Sequence, residues 1–302
     1  MTGCRWIAWY AAMLAGISTA AVAADAPVVW LQRMQQAQWQ RSYEGVVVYV
    51  HDGRVDQVRI SSRPGADAFQ RFASMSGDRR ELLKSGTEVR SLQATAAPAA
   101  WPAMAGQQRA LDARQLGESY HLQWLGTDRV AGFNARLIEA VPQDHERYGQ
   151  RLWVDQESGL LLGAALIGPR QELLEQVMFA QLALDAPTPA APSAGGAAAA
   201  GNETATGTAM RVPGFVMVGR RIDAARGLEQ RVYSDGLATV SVYVERREGA
   251  PAGEFSTRRG AVQLYGRQRG ELRVVAVGAV PADSTRRWVD ATLAGLVPAG
   301  GQ

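Results

Sequence analysis

The chain has 302 residues, a formal charge of +3 and 47% hydrophobic composition, enough for one large or two ordinary globular units. Its single cysteine, Cys4, leaves everything beyond the first few residues without disulfides, thiolate metal sites or a cysteine nucleophile. The basic side chains are arginine apart from Lys84; this is a composition bias that singles out no ligand.

Arg5, the apolar run Trp6 to Val22 and the small-x-small site Ala21-Val22-Ala23 read as a secretory signal peptide over residues 1–23. The run breaks at Ala24-Asp25-Ala26-Pro27, short of the roughly 20 apolar residues a membrane span needs; an uncleaved anchor is the alternative. Cys4 precedes the apolar run, which argues against lipoprotein acylation. A Sec-exported, cleaved chain works in the periplasm or outside the cell. Nucleotide-driven, nucleic-acid-binding and reducing-thiol functions are set aside accordingly.

A helix is expected over Pro27 to Gln40, with Leu31, Met34 and Gln38 at helical spacing beside Trp30 and Ala37. Strand signals follow. Tyr43 to His51 turns at Asp52-Gly53 into Arg54 to Ser62, a two-residue hairpin pattern. Further strands are expected near Ala68–Met75, Arg79–Lys84 and Thr87–Leu92, then, after the Ala/Pro-rich stretch Ala94 to Gly106, near His121–Thr127, Ala135–Val141, Gln150–Asp155, Leu160–Ile167 and Glu172–Leu182. Short connections predict an antiparallel meander curving around the first helix. Val46 to Val50 and Leu160 to Ile167 are apolar on both faces, so these strands should be covered twice. A small barrel, an ordinary packed core or an open half-barrel holding a helix or an acyl chain would each do this.

Ala186 to Ala209 is Ala-, Pro- and Gly-rich, with Glu203 its one charge, and reads as a flexible linker of 24 residues. As a coil it spans about 27 Å. It divides the chain into 24–185 and 210–302. Residues 24–209 carry 17 basic and 20 acidic side chains, and residues 210–302 carry 14 and 9. The second unit is thus the basic one, which suits an anionic partner or simply a solvated surface. Its expected elements are strands at Phe215–Arg220, Leu228–Ser234, Leu237–Glu245, Arg259–Gly266 and Glu271–Val280, then a helix after Pro281 capped by Asp283. The helix has Trp288, Val289, Thr292, Leu293 and Leu296 on one face. An antiparallel sheet with one packed helix results; the fold class is mainly β (α+β).

No catalytic constellation emerges. The nucleophile elbow, the phosphate-cradling glycine loop and the His-Glu-x-x-His helix are all missing from the sequence. His51, His121 and His145 are scattered, and Asp144-His145-Glu146 is expected to be solvated. No cofactor, metal site or enzymatic activity is expected.

Three stretches carry a resemblance. They are Trp30-Leu31-Gln32-Arg33-Met34 running into Tyr43 to Tyr49; Arg151 to Asp155 with Ser158 to Leu162 and Leu174 to Val177; and Arg231-Val232-Tyr233-Ser234-Asp235-Gly236-Leu237 continuing to Val240–Glu245. In this order the set resembles the MucB/RseB family of periplasmic regulators of the envelope-stress sigma factor. The linker is longer and richer in alanine than the family pattern, and Ala94 to Gly106 poorer in aromatics. The resemblance implies a large LolA-like antiparallel half-barrel with helices that senses lipopolysaccharide or acyl lipid. It also implies a small domain supplying much of the contact to the periplasmic domain of a single-pass anti-sigma factor of the MucA/RseA type. Such a regulator shields its partner from regulated proteolysis until lipid releases it. A homo-oligomer stays open. A periplasmic lipid or lipoprotein carrier is the alternative, though it gives the basic second unit no role. Val46, Val48, Val50, Phe69, Phe72, Leu83, Trp124 and Trp153 are expected to line or support the lipid concavity. Arg231, Arg258, Arg259, Arg267 and Arg269 are the expected partner contacts, and Tyr233-Ser234-Asp235-Gly236 is expected to be a structural hairpin.

Overall fold

The structure, a computed structural model, describes residues 26–65, 68–77, 79–85, 88–91, 111–186, 212–249 and 251–296. The expected signal peptide, the stretch Ala94–Gly106 and the linker beyond Ala186 lie outside these residues. No helix among the described residues is long and apolar enough to cross a membrane.

Helix α1 spans Pro27–Gln40. Pro27 opens it with a preset φ where its missing N–H costs nothing, and the buried stripe Leu31, Met34, Gln35, Ala37, Gln38 follows the helical period. Five strands then run as an antiparallel meander: β1 Tyr43–His51, β2 Arg54–Arg63, β3 Phe69–Ser74, β4 Glu81–Ser85 and β5 Glu88–Ser91. The short helix α2, Ala113–Ser119, follows; Asp112 caps it by accepting from the N–H groups of Arg114 and Gln115. A second meander comprises β6 Tyr120–Val130, β7 Phe133–Pro142, β8 Gly149–Asp155, β9 Leu161–Ile167 and β10 Leu173–Leu184.

The two meanders fuse where β1 pairs with β10, giving one ten-stranded sheet of order β5-β4-β3-β2-β1-β10-β9-β8-β7-β6. The single meander expected from short connections is corrected here: the central pairing joins strands more than a hundred residues apart. The join contains a bulge at Val46/Val47. Gly45 is required beside it, since a Cβ there would overlap the Gln181 carbonyl oxygen and the Phe179 ring. The β1–β2 turn is made by Asp52 and Gly53 with φ of 47° and 69°, the mirror-image geometry that matches strand twist.

α1 lies against one face of this sheet. The Gln38 carbonyl accepts from Ser62 Oγ and Gln70 Nε2, and Gln70 also donates to the Tyr43 hydroxyl. Tyr43, Val47, Val58, Ile60, Phe72 and Leu82 share that face and join Leu31 and Met34 in the main core. β1 accordingly alternates buried and half-buried residues instead of being covered on both faces. β9 is buried along its whole length.

The second sheet comprises β11 Val216–Asp223, β12 Leu228–Ser234, β13 Thr239–Arg246, β14 Gly253–Arg259, β15 Val262–Arg269 and β16 Leu272–Gly278, in the order β11-β12-β13-β16-β15-β14. Helix α3, Ala282–Leu296, packs on one face with Trp288, Val289 and Leu293 against Val240, Val242, Val274 and Ala276. Asp283 stands inside its first turn, where a carboxylate meets the positive end of the helix dipole.

Candidate functional site: the seam between the sheets

The small sheet stands on the large one by its strand ends. The start of β11, the β12–β13 turn, the β14–β15 turn and the end of β16 all lie at one end of the sheet, and two polar seats form there.

The first seat centres on Asp235 in the β12–β13 turn. Its Oδ1 accepts from the N–H groups of Leu237 and Ala238, which holds the turn. Its Oδ2 accepts from Arg147 Nη1 at 2.6 Å and from the Tyr120 hydroxyl at 3.0 Å. The Arg147 and Asp235 side chains are both fully buried. Arg147 also donates to Asp144 and to the Pro213 carbonyl, and its guanidinium packs 4.7 Å from the centroid of Phe215. Gln115 of α2 donates to the carbonyls of Gly214 and Ser234. Burial pushes the Asp235 carboxyl up, opposed chiefly by the Arg147 guanidinium; burial likewise raises the Tyr120 phenol. Nearby, Arg287 of α3 meets Glu146 at 2.7 Å.

The second seat is built on backbone donors. The β14–β15 turn is Gly260-Ala261. The Gly260 N–H donates to Asp52 Oδ2 at 2.5 Å and the Ala261 N–H to Glu175 Oε1 at 2.6 Å. Gly260 has φ +59°, and a Cβ there would displace the Glu175 carboxylate, so glycine is strongly favoured. Ala261 is buried with Tyr148 and Leu166, beside Leu174 and Ala279. Burial pushes the Glu175 carboxyl up, against the Ala261 N–H and the Tyr49 hydroxyl that favour its ionised form. His51 is buried here, stacked on Tyr49 at 4.4 Å and bonded to Asp56 at 3.0 Å.

The expected lipid residues divide between two faces. Register puts Val46, Val48, Val50, Phe69 and Leu83 on the face opposite α1. The same row continues from Val48 through Met178 and Gly163 to Trp153. Phe72 belongs to the α1 face, as does Trp124, which meets Trp30 of α1 edge-on at 5.9 Å, with the Arg136 guanidinium 3.8 Å from its centroid. The eight side chains therefore do not line one concavity; alternation at period two separates them.

The expected partner arginines are also dispersed. Arg231 is held by Glu229, with bonds of 2.7 and 3.0 Å. Arg267 pairs with Glu254 and Asp290, each at 2.5 Å. Arg258 and Arg259 are exposed at the seam end of β14, and Arg269 is exposed at the opposite end of the sheet. Sequence reasoning missed the seam itself. Asp235 serves both as a turn residue and as an ion-pair partner, and Asp144 and Glu146 hold arginines where a solvated loop was expected. His145 is exposed. Among the described residues no cluster of three His, Cys, Asp or Glu side chains could hold a metal.

Two antiparallel sheets, each with its own core, meeting through bonded polar groups, define a two-module mainly-β protein whose built site lies between the modules. The chain matches the MucB/RseB N-terminal domain over residues 26–197 and the MucB/RseB C-terminal domain over residues 207–292. It belongs to the MucB/RseB family. The Pseudomonas aeruginosa sigma factor AlgU regulatory protein MucB is 30% identical over 281 residues, covering 85% of this chain and 88% of that protein. The Haemophilus influenzae sigma-E factor regulatory protein RseB is 24% identical over 282 residues, covering 86% and 88%. Among solved structures, the Pseudomonas aeruginosa MucA/MucB complex superposes with a TM-score of 0.63 at 28% identity, over 86% of this chain and 96% of that one. A structure of MucB in complex with MucA(peri) gives 0.63 at 26% identity, over 87% and 96%.

Proposed function

We propose that this chain is a regulator in the periplasm that binds the periplasmic part of a membrane anti-sigma factor, protects it from regulated proteolysis and releases it when lipopolysaccharide or another acyl ligand binds. One observation carries the reading: family similarity runs in order through both sheets, residues 26–197 and 207–292. A lipid carrier would leave the second sheet without a role. The relatives named above are sigma factor regulatory proteins, and one has been solved with MucA.

The seam gives the reading a physical basis. Among the described residues, apolar contact across it is confined to Leu237, packed against the large core, and to the small cluster around Ala261 and Leu166, so the relative placement of the sheets depends heavily on a handful of polar contacts. A lipid shifts that placement only by its differential affinity for the two arrangements. Acyl chains gain about 0.8 kcal/mol per buried CH₂, so the ligand site is an apolar face of the large sheet. Val48→Glu tests the face of Val46, Val48, Val50, Phe69, Leu83 and Trp153. Acyl binding left intact in this folded variant assigns the site to the α1 face of Phe72 and Trp124.

The function itself is tested by digesting the anti-sigma periplasmic segment with its initiating protease, with and without residues 24–302. The chain is expected to slow cleavage and lipopolysaccharide to restore it. Cleavage at the same rate in all three mixtures contradicts the proposal.

A further inference from the structure

Among the described residues, four strand edges bound the two sheets: β5, β6, β11 and β14. β6 is broken by a bulge at Trp124/Gly126 and β11 by one at Met217/Gly219, the usual means of blunting an edge. β5 has four residues. β14 differs from all three: it pairs with β15 in unbroken register over seven residues, every one of them exposed.

Its outward-facing backbone groups follow from the turn. Arg259 and Val262 close the two-residue Gly260-Ala261 hairpin, so this pair exchanges both of its hydrogen bonds. Alternation then turns the N–H and C=O of Phe255 and Thr257 inward to β15, and those of Glu254, Ser256 and Arg258 outward. The seam holds the strand in place at one end, through the Gly260 and Ala261 N–H groups, so little ordering is needed for a further strand to add.

Charge selects what adds. Arg258 and Arg259 lie on the strand itself. Arg267 is on β15, Arg273 stacks 4.7 Å from the Phe255 centroid, and Arg286 lies 5.2 Å from the Tyr265 centroid. Of the carboxylates nearby, Glu254 and Asp290 are both bonded to Arg267, and Asp52 and Glu175 are taken up by the Gly260 and Ala261 N–H groups. A second copy of this chain would bring the same arginine excess to the junction, whereas an acidic segment would neutralise it.

We propose that the open edge of β14 is a strand-addition site for an extended acidic segment of the protein partner, with its main chain bonded to Glu254, Ser256 and Arg258. This rests on the anti-sigma reading above and specifies where that partner is gripped. Main-chain pairing gives affinity and the flanking arginines give selectivity.

Ser256→Pro removes one outward N–H while leaving the β14–β15 ladder bonds in place, a position where proline is tolerated; Ser256→Ala keeps the N–H. The probe is the periplasmic segment of the anti-sigma protein encoded in the same genome, titrated into residues 24–302. The proline variant is expected to bind about tenfold more weakly, with the alanine variant unchanged. In the unsubstituted protein, amide exchange at Glu254, Ser256 and Arg258 should slow when the segment is added, and Arg258→Glu should weaken binding independently of any folding defect in the proline variant. Binding to the unsubstituted protein without slowed exchange at these amides overturns the edge site but leaves the regulator intact. Absence of binding to the unsubstituted protein removes the regulator reading as well. Exchange at these amides that slows with rising concentration of the chain alone assigns the edge to a second copy, and overturns the acidic-segment proposal.

Discussion

The two seats of the seam hold the same pair of sheets by opposite means. At the first, a guanidinium and a carboxylate from different sheets are buried against each other, with a phenol and two backbone N–H groups filling the remaining valences of Asp235. At the second, two carboxylates of the large sheet receive backbone N–H groups of a turn. The first cannot lose one member without stranding a buried charge, so it acts as a fixed pivot. The second depends on glycine geometry and on the ionisation of a buried glutamate, Glu175, so it is the one that solvent conditions loosen. Motion between the modules should therefore begin at the Gly260 turn and pivot about Asp235.

The largest effect is expected from splitting the buried pair. Arg147→Met should cost about 3–5 kcal/mol in denaturant unfolding because it leaves the buried Asp235 carboxylate without its cation. Arg147→Met with Asp235→Asn should recover part of that loss, since no buried charge remains. Full additivity of the two changes would show that the residues act separately. At the other seat, Gly260→Val combines a left-handed backbone with overlap onto Glu175. It should cost roughly 2 kcal/mol, with raised amide exchange confined to the β14–β15 turn, not the β12–β13 turn. Exchange rising equally at both turns would abolish the distinction between pivot and loose end.

Lys84 is buried with its ammonium 5.2 Å from the Trp39 ring centroid, and burial lowers its pKa to about 7. Between that value and the ordinary lysine range the unfolded chain binds a proton there and the folded chain does not, so stability rises with pH across that window. Lys84→Met should stabilise by about 1–2 kcal/mol at pH 6, and the gain should shrink toward pH 10; a gain independent of pH would mean packing, not charge, is responsible. The smallest effect concerns Glu175. Its pKa is raised by burial, so the folded chain holds the proton more tightly, and stability falls as pH rises from the ordinary glutamate range through the raised value. Glu175→Gln should flatten that limb of the pH–stability curve by less than about 1 kcal/mol. An unaltered curve would assign the titration to another group.

Local signals made much of the fold legible in the sequence. Pro27 with the Leu31/Met34 stripe marked α1 to its observed ends, and Asp52-Gly53 and Ser234-Asp235-Gly236 marked turns whose backbone those residues are built to adopt. β14 escaped notice because Gly253 to Arg259 has one large apolar residue, Phe255, and no alternation. α2 escaped because seven residues containing Gly117 show too little period. What joins distant parts of the chain was not readable. The β1–β10 pairing and the Arg147–Asp235 bond, 88 residues apart, depend on packing that no local pattern records. The residues expected to line or support a lipid concavity divide between two faces for a related reason: Phe69 and Phe72, three residues apart in a strand, must point to opposite faces. Family resemblance pointed to the proposed function sooner than the residues could, because a binding surface leaves no catalytic signature.

The most direct test is a titration of residues 24–302 with the periplasmic segment of the anti-sigma protein from the same organism, run with and without lipopolysaccharide. A tight complex that lipopolysaccharide dissolves is the expected result. Capture of lipid without any binding of the segment would contradict it and leave a carrier in its place.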